Sequence, residues 1–156
     1  MKTSPQPPDG LNEFDARAAA WDENPERRVL TSALAEALVE CLRLRPDMRL
    51  LEYGCGTATL SRLLADRVGA IDAADASTGM LEQARRNLRA HGIQNIRLLR
   101  LDLTRDEPPA ERYDGIFSAM TLHHVEKVEA LLRRLADLLL PGGFLAITDL
   151  VTEDGS

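Results

Sequence analysis

Aromatic residues are scarce in this chain, 4% of 156 positions with a single tryptophan, so any core must be built mainly from Leu, Ala, Val and Ile. Cysteine is nearly as rare. Cys41 lies in a helical pattern and Cys55 in a glycine-rich turn, which excludes a disulfide framework and suits a reducing cytoplasm. Positive charge is in the minority, 19 Lys and Arg against 25 Asp and Glu, and the net charge of −6 repels a polyphosphate backbone. Nucleic acid is not expected as the main partner. No apolar run reaches the length of a membrane span, and the Met-Lys-Thr-Ser-Pro opening lacks the apolar centre of a signal peptide. The expectation is a soluble, cytoplasmic protein with no membrane partner.

What is present fits one globular domain: 44% hydrophobic residues, 28% charged, and enough length for a single sizeable core. Residues 1–10, with Pro5, Pro7 and Pro8, read as a disordered lead-in. Residues 11–156 read as the domain itself, with a helical cover over 11–45 and an α/β core over 48–150. In the cover, Asn12 to Trp21 has short helical potential, and Asn24-Pro25 supplies an N-cap and a first-turn proline. Apolar residues from Val29 to Leu42 recur at helical spacing, which predicts an amphipathic helix over Pro25 to Leu44 lying on one face of a sheet.

The core opens on Met48 to Tyr53, an apolar run that stops at Gly54-Cys55-Gly56 and passes directly into a helical pattern over Ala58 to Val68. Glycines there permit positive φ and remove the Cβ atoms that would hold a ligand away from the main chain, and the following helix would aim free N–H groups at an anionic or polar guest. Four further units follow. They are a strand over Ala70 to Ala74 and a helix over Ser77 to His91, a third strand over Ile96 to Leu101 and a Pro108-Pro109 loop, a fourth strand over Tyr113 to Ala119 and a helix over Val125 to Leu140, and a Pro141-Gly142-Gly143 turn into a fifth strand, Phe144 to Leu150. Alternation of strand and helix implies a doubly wound, mostly parallel α/β sheet with ligands at the carboxyl ends of its strands. Polar chemistry gathers at those ends: Glu52 and the glycines after the first strand, Asp75 after the second, Asp102 after the third, and His123-His124 after the fourth.

This set of residues, with Tyr113-Asp114 opening the fourth strand and Leu140-Pro141-Gly142-Gly143 before the fifth, resembles the class I S-adenosylmethionine-dependent methyltransferases over roughly Asn12 to Leu150. The resemblance implies the Rossmann-like strand order 3-2-1-4-5. It implies S-adenosyl-L-methionine as cofactor, S-adenosyl-L-homocysteine as product, and a small-molecule methyl acceptor. It places Gly54, Cys55 and Gly56 under the methionyl part of the cofactor and Glu52 near its amino end. Asp75 would accept from both ribose hydroxyls and Asp102 would lie beside the adenine amine, with Ala76, Met80, Leu103 and Ala119 flanking them. A single carboxylate can accept from both hydroxyls of a diol, and such charge-assisted bonds are the stronger kind.

Each assignment has a structural rival. Gly54 and Gly56 would serve any tight turn, Asp75 could cap the helix at Ser77, Asp102 could be a loop acid, and Glu52, if buried, needs a donor that the loop could supply. His123 and His124 sit where an acceptor would lie, and a neutral imidazole there could take its proton, though either ring could instead pack against the next helix. Two histidines without further ligands do not make a metal site. Phe14 and Trp21 suit either a lid or the core, and Arg85, Arg86 and Arg89 a solvated helix face.

Departures from the pattern narrow the reading. Ser118-Ala119-Met120-Thr121-Leu122 lacks the Asn/Asp-Pro-Pro-aromatic signature of enzymes that methylate DNA bases. The family's C-terminal strand hairpin has no counterpart before Ser156, so either the chain is shortened or its fifth strand is an open edge through which two copies could pair. Two other functions share features with this one. A nicotinamide-dependent dehydrogenase would want a third glycine where Thr59 stands; a non-catalytic cofactor- or protein-binding module would want only the crevice.

Overall fold

The computed structural model describes residues 9–150. The lead-in expected over residues 1–10 lies outside them as far as residue 8, while Asp9 and Gly10 open a helix, α1 (Asp9–Arg17), which a 3-10 segment (Ala18–Glu23) continues. Helix α2 (Pro25–Cys41) starts as its cap predicts: the Asn24 side chain accepts from the N–H groups of Glu26 and Arg27 at 2.9 and 3.3 Å. It stops three residues before the expected Leu44. Leu42 turns extended, which swings Leu44 into the apolar cluster around Leu50 and Phe117.

Five parallel strands follow in the order β3-β2-β1-β4-β5: β1 (Arg49–Tyr53), β2 (Ala70–Asp75), β3 (Ile96–Arg100), β4 (Tyr113–Ala119) and β5 (Leu139–Thr148). Alternation of side chains along the strands assigns the helices to faces. Leu50, Ile71 and Ala73 pack toward α2, α3 (Thr59–Leu64) and α4 (Thr78–Ala90), whereas Leu51, Tyr53, Ala74 and Ile116 pack toward Leu131 and Leu135 of α5 (Val128–Asp137). Each fully buried leucine among them contributes about 2 kcal/mol.

Three expectations shift in detail and one holds. Ala58 adopts a left-handed conformation, φ +62°, so α3 begins one residue later, and its last turn tightens to 3-10 over Ala65–Arg67. The loop expected between β3 and β4 is present, with no helix in it; the Arg134 guanidinium holds it by donating to the carbonyls of Leu103 and Asp106. The helix expected over Val125 to Leu140 is shorter at both ends: α5 starts only at Val128, because Val125 is extended after a 3-10 turn (Leu122–His124) whose Leu122 N–H is drawn to Asp149, and it stops at Asp137, because Leu139 and Leu140 open β5. Pro141-Gly142-Gly143 is a bulge inside β5 rather than a turn before it: Tyr113 pairs with Leu139 but Gly115 with Phe144, and Gly142 at φ +79° absorbs the extra residues. Among the described residues, no helix is long and apolar enough to cross a membrane.

Candidate functional site

The carboxyl ends of β1, β2 and β4 open into a crevice of about 1900 Å³. Ordinary small-molecule sites measure roughly 300–1,000 Å³, so the crevice is larger than one small ligand requires. Glu52, Gly54, Cys55, Gly56, Asp75, Ala76, Met80, Asp102, Leu103, Ala119, His123 and His124 all line it.

The glycine loop forms its floor. Gly54 and Gly56 take φ of +77° and +54°, as the strand-to-helix reversal requires. Their openness differs. A Cβ on Gly54 would meet Thr121 Oγ1 at 2.2 Å, so the protein's own side chain occupies the space expected for a ligand, while a Cβ on Gly56 would meet only Trp21 Nε1 at 3.9 Å. Several loop N–H groups are also spent internally. Those of Gly54 and Cys55 donate to the Ala74 carbonyl, that of Ala58 to the Cys55 carbonyl, and that of Gly56 to Asp75 Oδ2 at 2.8 Å. Close main-chain approach at Gly56, rather than a row of free donors, is what the loop offers.

Asp75 braces this loop from the end of β2. One oxygen accepts from Gly56 and the other from the Ser77 N–H at 2.9 Å, while Ser77 caps α4 through its own hydroxyl. Burial lifts the Asp75 carboxyl above its ordinary range, against the pull of those backbone donors. Glu52 is more deeply placed, 3% exposed, and the amide and hydroxyl of Ser61 both donate to its Oε2. Burial pushes its carboxyl up to about 8, with the Asp75 charge adding to the shift. Structural donors thus exist for both acids, from α3 and from the loop, and both still face the crevice.

Cys55 packs with Ala58, Ala73, Leu81 and Ala84 beneath the loop, and burial raises its thiol well above the usual value. Asp102 closes a turn by accepting from the Thr104 N–H at 3.0 Å, and the Leu103 N–H donates to the Tyr53 hydroxyl at 3.1 Å. Across the crevice, Met120 leaves β4 at φ +55°, a strained conformation for a residue with a side chain. Beyond it lie His123, whose Nδ1 is 2.7 Å from Asp149 Oδ1, and His124, whose ring meets Phe14 edge-on at 5.3 Å.

The N-terminal segment closes one side. Asp22 accepts from Thr57 and Thr59 hydroxyls at 2.7 and 3.2 Å and from the Asn87 amide at 2.8 Å; Asp15 accepts from the Ser77 hydroxyl and the Gly79 N–H. Trp21 is covered by the Arg27 guanidinium at 3.6 Å and touches Phe14. Asp15, Asp22, Asn87 and Asp149 were not legible as site residues. Each meets its partner only after the fold closes separations of 26 to 65 positions.

Residues 50–143 match the family model described as a methyltransferase domain. The chain belongs to this methyltransferase family. Its relatives include a protein named biotin biosynthesis bifunctional protein BioCD from Bordetella avium, 39% identical over 146 residues, which cover 90% of this chain and 30% of that protein. An uncharacterized methyltransferase, Rv0089, of Mycobacterium tuberculosis is 30% identical over 132 residues, covering 85% of the chain and 61% of that protein. The chain therefore spans less than two thirds of the length of either. Among solved structures, one described as a DhpI-SAM-HEP complex superposes with a TM-score of 0.76 at 27% identity, over 93% of this chain and 66% of that one. As a methyltransferase domain the chain keeps Thr59 where a dinucleotide-binding loop would carry its third glycine, and the dehydrogenase alternative ends with the family match.

Proposed function

We propose that this chain binds S-adenosyl-L-methionine along the crevice and transfers its methyl group to a small molecule, releasing S-adenosyl-L-homocysteine. The observation that carries the reading is the pairing of Gly56 with Asp75. A loop position where an added Cβ would meet nothing nearer than 3.9 Å sits one hydrogen bond, 2.8 Å, from a carboxylate facing the same space. A nucleoside needs that combination: main chain it can approach closely and an acceptor for its diol. The acids suit the cofactor's charge as well, since Asp75 and Asp102 line the crevice and no lysine or arginine side chain pairs with Asp75 among the described residues.

In this reading Asp75 accepts from the ribose, Gly54 to Gly56 with Glu52 adjoin the methionyl end, and Ala76, Met80, Asp102 and Leu103 enclose the adenine. Ala119, His123 and His124 face the acceptor. When bound, the cofactor supplies a methyl group on a cationic sulfur, and the acceptor's lone pair forms the new bond as the sulfur–carbon bond breaks and its electrons return to sulfur. The protein's part is alignment in a site shielded from water by Trp21 and Phe14. Residues 11–156 then act as one unit, since Asp15 and Asp22 tie the N-terminal cover to the core. A reducing, cytoplasmic setting agrees with the unpaired Cys41 and Cys55.

The test is thermal unfolding with each of two ligands. S-adenosylhomocysteine should raise the melting temperature in a concentration-dependent way and NAD should leave it unchanged; no shift with the first would refute the reading.

A further inference from the structure

The two histidines after β4 differ in what holds them. Asp149, at the end of β5, accepts the N–H of Leu122 at 2.6 Å on one oxygen and that of Leu150 at 2.8 Å on the other, so its carboxylate has a set direction. The second of those oxygens lies 2.7 Å from His123 Nδ1. Burial opposes the Asp149 charge, yet the Leu150 N–H, the His123 imidazole and the Leu122 N–H together hold its carboxyl below the ordinary value. An ionised carboxylate can only accept. A neutral His123 must therefore carry its proton on Nδ1 and present a bare lone pair on Nε2. His124 packs its ring against Phe14 and lies 3.9 Å from the His123 ring.

We infer that His123 is the general base of the proposed methyl transfer, that Asp149 is the positioning residue fixing its tautomer, and that His124 packs the acceptor end against the N-terminal cover. The inference rests on the methyl-transfer reading and narrows its substrate class. The acceptor presents its methylated atom as an O–H, S–H or activated C–H, and that proton passes to His123 Nε2 as the methyl arrives. The resulting imidazolium faces the Asp149 carboxylate until solvent removes the proton. Aligning the imidazole through a half-buried acid matters because the wrong tautomer turns a donor, not a lone pair, toward the acceptor.

The measurement is nitrogen-15 NMR of the imidazole rings in the full chain, above the ordinary histidine titration range, so that neither cofactor nor acceptor is needed. His123 should show its proton on Nδ1 alone, and Asp149→Asn should abolish that preference while S-adenosylhomocysteine affinity changes by less than about twofold. A native His123 protonated on Nε2, or one whose tautomer is unmoved in Asp149→Asn, overturns the inference. With the acceptor found by labelled-methyl transfer, His123→Ala should lower turnover about 100-fold or more, and His124→Gln by a smaller factor. Equal losses in the two variants, or an acceptor whose methylated atom carries no proton, also overturn it. Failure of the native chain to bind S-adenosylhomocysteine would instead remove the methyltransferase reading, leaving the tautomer result intact.

Discussion

Strand β2 carries two aspartates three positions apart, and the fold treats them in opposite ways. Asp72, 1% exposed, is ringed by side-chain donors: Arg49 at 3.0 Å, Arg97 at 2.8 Å and the Tyr113 hydroxyl at 2.7 Å, with Arg97 passing on to Glu111. Asp75 is held by backbone N–H groups, those of Gly56 and Ser77 foremost, and among the described residues no cation pairs with it. The register explains the difference. Asp72 pairs with Arg97 of β3 and lies on the face where Tyr113 begins β4, whereas Asp75 emerges where the strands end and the crevice starts. An acid whose neighbours are already cations belongs to the fold; an acid held by main chain alone keeps lone pairs for a guest.

Removing the first acid should give the largest effect. Asp72→Ala leaves two guanidiniums and a buried phenol without their common acceptor, for a loss of about 3 kcal/mol in urea unfolding. This is the low end of the usual range because the arginines are 39% and 48% exposed. The folded fraction should still bind S-adenosylhomocysteine. Removing the second acid should reverse that pattern: Asp75→Ala is expected to weaken S-adenosylhomocysteine binding by about 1–3 kcal/mol in calorimetric titration, with a smaller stability change than at position 72. Unchanged affinity would end the ribose assignment.

Glu52 sharpens the comparison through pH. Its carboxyl, raised from 4.5 to about 8, binds a proton in the folded chain that the unfolded chain has released. Its contribution to stability is therefore complete below about pH 4.5 and is lost as pH rises through about 8. Denaturant midpoints measured across that window should fall with pH in the native chain and fall less steeply in Glu52→Gln. The smallest expected effect is at the N-terminal cover. Asp22→Asn should cost about 0.5–1.5 kcal/mol and alter the fluorescence of Trp21, the single tryptophan, because the segment bearing it loses its best acceptor for Thr57.

The sheet was legible because β1, β2 and β4 are short apolar runs bounded by glycine, proline or acid, and the crevice was legible because polar residues recur at strand ends for which a core has no use. What sequence could not resolve has physical causes. Pro141-Gly142-Gly143 carries the same cues for a turn and for a bulge, and only the partner strand decides between them. Ala58 and Met120 take left-handed conformations that no local preference suggests. Gly54 looked like a cradle, but the space its missing Cβ leaves is filled by Thr121, 67 positions away. Asp149 read as the tail of a strand, and its bond to His123 exists only because β4 and β5 lie side by side.

Amide NMR mapping with S-adenosylhomocysteine tests the central claim most directly, since the Gly56 and Ser77 N–H groups both point at Asp75. Saturating ligand should shift those two resonances while the amides of Asp72 and Arg97, at the far end of the same sheet, stay where they are. Binding that left Gly56 and Ser77 unmoved would contradict the account.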